Sequence, residues 1–131
     1  PNSIVLAQAA NESGWGTSRF AKEYNALFGE YTYDIKTGVV PLERQPEEKH
    51  LVKFFPSINK SVESYFDNIN THYAYSNFRK IRNDQRKYNN FNVDLLLEEL
   101  NLYAEDRNYV DNLKSIIRIN NLEKFDKLPS I

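Results

Sequence analysis

Ile4, Val5, Leu6, Ala9 and Ala10 form a compact apolar face at helical spacing, which predicts a short helix from Pro1 to near Ser13. Pro1 suits its first turn, where the missing N–H costs nothing, and Gly14 and Gly16 mark its end. Ser18 to Tyr24 reads as a second short helix, after which Asn25 turns the chain. From Phe28 to Phe55 the period drops to two. Tyr31 and Tyr33 alternate with polar neighbours, Lys36-Thr37-Gly38 signals a turn, and Val39-Val40 opens a second extended run. Leu51 to Phe55 is a third run, after the polar connection Glu43 to His50. A small antiparallel β-lobe is therefore expected at about residues 28–55. Beyond Pro56 the helical period returns, with Val62, Tyr65, Phe66 and Ile69 on one face and Tyr75, Phe78 and Ile81 on another. Asn92 offers an N-cap to the run Leu95 to Leu102, and Tyr109, Leu113, Ile116 and Ile117 mark the last amphipathic helix. Four helices thus follow the sheet. No repeat or low-complexity linker interrupts the pattern, so the expectation is one domain over 1–131, mainly α (α+β), with a small antiparallel β-lobe.

Composition narrows the partners. The 17 basic and 18 acidic side chains nearly cancel, so no large field of one sign attracts nucleic acid or an anionic surface, and no nucleic-acid partner is expected. With 40% hydrophobic and 27% charged residues, the chain falls among ordinary globular proteins, and no apolar run approaches transmembrane length. Nine Tyr and eight Phe exceed what a small core needs, which leaves rings available to face a groove. The absence of Cys excludes disulfides and thiolate chemistry. His50 and His72 are isolated, so neither a metal nor any other cofactor is expected.

One carboxylate has a setting that suits chemistry. In Asn11-Glu12-Ser13-Gly14-Trp15-Gly16, Glu12 falls in the last turn of a helix, where the negative end of the macrodipole opposes ionisation. Desolvation by Trp15 would act in the same direction, favouring the protonated form that a glycosidase acid needs. Spacing alone leaves a solvated surface Glu as the ordinary alternative.

The stretch LAQAANESGWGTSRF, Leu6 to Phe20, followed by Asn25-Ala26-Leu27-Phe28-Gly29, resembles the signature of the glucosaminidase superfamily around glycoside hydrolase family 73. Further segments agree in order: Val39-Val40-Pro41-Leu42, Phe55 to Tyr65, Asn70 to Tyr75, and Leu102-Tyr103-Ala104-Glu105-Asp106 followed by Tyr109. They are most similar to the Bax-like branch and cover nearly the whole chain. The resemblance implies a lysozyme-like helical fold and an endo-β-N-acetylglucosaminidase that cuts peptidoglycan glycan strands, with Glu12 as catalytic acid. It also implies Glu43, in the β-lobe, as the second carboxylate, with Glu30 and Glu105 as rivals. Tyr103 matches the groove tyrosine of the family motif, although Ala-Glu-Asp-Arg stands here where many relatives have Ala-Thr-Asp-Pro. Tyr75 would line the glycan groove, while Trp15 and Phe28 either line it or pack beneath it.

Related folds support a muramidase or a lytic transglycosylase using the same acid. A glycan-binding module without turnover, or a helical interaction module, would need no Glu12 turn. The substrate implies export to the periplasm or cell surface. A start at Pro1, without an export signal, points to a trimmed piece lacking an N-terminal helix of the family fold; a monomer is expected.

Overall fold

The computed structural model describes residues 1–127. It is 56% helical with one small antiparallel sheet, which makes the fold mainly α with a β element, as the periodicities predicted. In chain order the elements are α1 (Asn2–Ser13), α2 (Arg19–Tyr24), β1 (Tyr31–Thr32), β2 (Gly38–Val39), β3 (Leu51–Lys53), α3 (Ile58–Thr71), α4 (Ser76–Tyr88), α5 (Val93–Leu97) and α6 (Tyr109–Ile119). Short 3-10 turns lie at Tyr73–Tyr75, Glu98–Leu100 and Leu122–Phe125. Among the described residues, no helix is long and apolar enough to cross a membrane. The chain forms two compact units, Ala9–Phe66 and Pro1–Gln8 with Asp67–Ile131.

In the unit Ala9–Phe66, local chemistry sets the helix ends. Ser18 caps α2 by accepting from the Ala21 N–H at 3.1 Å, and Asn25 closes it in the left-handed conformation, φ 55°. The sheet order is β1-β3-β2, with β3 pairing antiparallel to both neighbours. Its central strand carries Leu51 and Val52, both buried, and Phe28, Phe55 and Tyr65 are the buried aromatic residues of the same unit. Phe28 and Tyr65 stack at 4.2 Å, joining the segment before β1 to α3. The buried stripe of α3 here runs through Ser61 and Tyr65, whereas Phe66, expected on the apolar face, is 42% exposed. Four-residue steps from Ser61 define the inner face, and Phe66 lies about 100° off it.

In the other unit, Leu96, Leu97, Leu100, Tyr109, Leu113 and Ile117 build the core with Ile4, Ile69 and Phe78. Asn92 caps α5 as expected, accepting from the Leu95 N–H at 3.2 Å. The apolar run does not stay α-helical to Leu102. It tightens into the 3-10 turn after Leu97, and Leu95 and Leu102 remain exposed. Tyr109, Leu113 and Ile117 are one turn apart on α6, so one face of that helix is buried. Gln8 and Tyr109, both buried, satisfy each other through a 2.9 Å amide-to-phenol hydrogen bond.

Candidate active site

The end of α1 is tightly specified. Ser13 is buried and donates its hydroxyl to the Ala9 carbonyl at 2.5 Å while accepting from the Gly16 N–H at 2.9 Å. The Trp15 N–H returns to the Ala10 carbonyl at 2.9 Å, and the Ser18 N–H to the Ser13 carbonyl at 3.1 Å. Gly14, Trp15 and Gly16 all have positive φ, 57°, 58° and 77°. Glycine adopts that region freely, but for Trp15 it costs on the order of 1–2 kcal/mol. The strained residue holds its indole 61% exposed rather than packed under the turn.

Glu12 occupies the last turn of this helix and is half-buried. Gly29, in the Leu27-Phe28-Gly29 turn, lies against it. A Cβ placed on Gly29 would lie 2.6 Å from Glu12 Oε2, so the carboxylate rests directly against a bare glycine backbone whose φ is +67°. The turn itself is pinned from several sides. Asn25 Nδ2 donates to the Phe55 carbonyl at 3.0 Å, the Leu27 N–H donates to buried Ser61 Oγ at 3.2 Å, and the Phe28 ring is buried on Tyr65.

Glu30 follows immediately. Its Oε2 accepts from Ser64 Oγ at 2.7 Å, and Ser64 in turn accepts from Lys53 Nζ at 3.3 Å. The Lys53 N–H also donates to the Glu30 carbonyl at 2.9 Å. Glu30 is thus the chain neighbour of the glycine that Glu12 Oε2 abuts, and its carboxylate is held by Ser64. Glu43 is exposed in a turn of the β2–β3 connection that the Arg44 N–H closes on the Pro41 carbonyl at 3.3 Å. Arg44 Nη1 donates to the His50 carbonyl at 3.2 Å, tying that connection together.

In the unit containing Asp67–Ile131, Tyr103 is half-buried, with its ring 6.0 Å from Tyr75 and stacked 5.8 Å from Tyr109 at 4°. Tyr75 is buried within this row, and Glu105 is exposed. Among the described residues, no group of three or more His, Asp or Glu is arranged to hold a metal ion.

Sequence reasoning missed Ser61, Ser64 and Lys53. The available signal was a serine at position 61 in step with the apolar positions Tyr65 and Ile69 of a helix, where a hydroxyl needs a buried partner. Removing the hydroxyl in Ser64→Ala is expected to lower stability by about 1–2 kcal/mol, because a carboxylate loses a charge-assisted donor. Urea unfolding of the two proteins measures it.

Over 87 residues, 66% of this chain and 30% of the relative, the chain is 42% identical to Protein bax of Escherichia coli (strain K12). Over 136 residues, 98% of this chain and 48% of the relative, it is 28% identical to Exo-glucosaminidase LytG of Bacillus subtilis (strain 168). The chain thus spans less than half the length of either. No solved structure gives a significant match. Residues 1–122 match the Glucosaminidase model, described as mannosyl-glycoprotein endo-beta-N-acetylglucosaminidase, and with the Glu12 turn and the Leu-Phe-Gly turn both inside that span, the chain belongs to the glucosaminidase family.

Proposed function

We propose that this domain hydrolyses peptidoglycan glycan strands beside N-acetylglucosamine, as an endo-β-N-acetylglucosaminidase with Glu12 as general acid. The observation that supports this most is the half-buried Glu12 carboxyl set against the bare backbone of Gly29. A carboxylic acid held in one place beside an open turn can pass its proton to the leaving glycosidic oxygen. Glu43 serves as the second carboxylate. An inverting pair stands about 6.5–9.5 Å apart to admit water, which favours a solvent-exposed group on a separate loop. Glu30 is one residue from the glycine that Glu12 touches and already accepts the Ser64 hydrogen bond, so its part is to hold the turn.

Trp15 presents its exposed indole to sugar C–H faces, and Phe28 supports the turn from below. Tyr103, Tyr75 and Glu105 take their substrate-contacting roles from the family resemblance alone. Because the substrate lies outside the cytoplasmic membrane, the site of action is the periplasm or cell surface.

Digestion of purified sacculi followed by reducing-end analysis tests the reaction. Internal cleavage should release fragments with new N-acetylglucosamine reducing ends. N-acetylmuramic ends would indicate a muramidase, anhydromuramic ends a lytic transglycosylase, and terminal N-acetylglucosamine alone an exo-acting enzyme. Binding without any release would make it a glycan-binding module.

A further inference from the structure

β1 is an edge strand of the sheet, yet its first residue is a large aromatic, Tyr31, whose side chain is 64% exposed. Its ring lies 4.5 Å from the His50 ring at a tilt of 38°. Both members of this pair are anchored. Tyr31 is in register with buried Val52 on β3, and the His50 carbonyl accepts from Arg44 Nη1 at 3.2 Å while its Nδ1 lies 3.4 Å from Glu48. An exposed ring braced in this way has less rotational freedom to lose when a ligand covers it.

The position of the pair along the chain gives it a use. Tyr31 is two residues beyond Gly29, so its Cα is within about 7 Å of the glycine that abuts the Glu12 carboxylate. On the other side, Arg44 connects His50 to the turn that carries Glu43. The pair is therefore tied by the chain to the turn against Glu12 and, through Arg44, to the connection that carries Glu43. The apolar C–H face of a pyranose fits an exposed aromatic ring, and the phenol and imidazole can hydrogen-bond the ring hydroxyls or an acetamido group.

We infer that Tyr31 and His50 form a saccharide-stacking platform on the β-lobe, which binds one N-acetylated amino sugar of the glycan strand next to the cleaved bond. This deepens the proposed hydrolase function and rests on it for the identity of the strand. The platform supplies binding in the ground state and the transition state alike, so it acts on KM and not on kcat.

The test titrates a soluble tetramer of β-1,4-linked N-acetylglucosamine into protein carrying Glu12→Gln, which prevents turnover. Adding Tyr31→Leu, which keeps apolar bulk but removes the ring face, is expected to raise Kd about tenfold, and Tyr31→Phe less than twofold. Tyr33→Ala removes a ring that is 77% exposed outside the pair and is expected to change Kd less than twofold. In the Glu12 background of the wild type, Tyr31→Leu should raise KM about tenfold on sacculi with kcat unchanged. Equal Kd for Tyr31→Leu and its parent, or an equal loss on Tyr33→Ala, overturns the platform even if sacculi are cleaved. Failure of the wild type to cleave sacculi, with the Kd pattern intact, overturns the hydrolase reading and leaves the sugar platform standing.

Discussion

Glu12→Gln is expected to slow glycan cleavage by at least about a hundredfold while leaving the fold intact, the lower scale for losing an acid catalyst. Glutamine has the shape of the acid, so it can rest against Gly29 as the carboxylate does, and the Ser13 bonds that end α1 involve other atoms. What it lacks is a transferable proton. Glu12→Asp keeps the proton but draws the carboxyl back by one methylene, and a misplacement on the order of 1 Å is enough for a loss of about 10–100-fold. Muropeptide release from sacculi measures both, and an unchanged unfolding midpoint shows that the fold survives. A Glu12→Gln protein that cleaves at the wild-type rate removes the assignment of this residue.

The parts of the fold that local chemistry dictates were readable in the chain. The end of α1 at Ser13, the left-handed Asn25 and the Asn92 cap all depend on residues within a few positions of one another. Four helices after a small sheet also followed from the change of period at Phe28 and Pro56. Periodicity could not choose the inner stripe of α3, because Val62, Phe66 and the true Ser61-Tyr65-Ile69 line are overlapping helical rows. The second gap was in the site. Sequence reasoning put Trp15 beside the Glu12 carboxyl, but Trp15 lies past the end of α1 in the left-handed conformation with its indole 61% exposed, and a glycine from a distant turn abuts the carboxylate. Glu30, Ser64 and Lys53 meet across 34 and 11 positions of sequence, and no spacing rule connects such residues.

That glycine gives the second large effect. Gly29→Ala places a methyl carbon 2.6 Å from Glu12 Oε2, closer than real Cβ contacts allow, and does so at a φ of +67°. The two consequences differ in size and kind. The left-handed backbone costs an alanine about 1–2 kcal/mol of stability whatever surrounds it. The clash is with the far end of a flexible side chain, so the carboxylate swings away instead of the turn unfolding, and a displaced acid should lower kcat by about 10–100-fold. A double-mutant cycle separates the two effects. Added to Glu12→Gln, Gly29→Ala should cost the same stability but almost no further activity, because no acid remains to be displaced. Activity losses that simply add would mean that Gly29 acts through something other than the placement of Glu12, and a Gly29→Ala protein with full kcat would show that the acid does not depend on this turn.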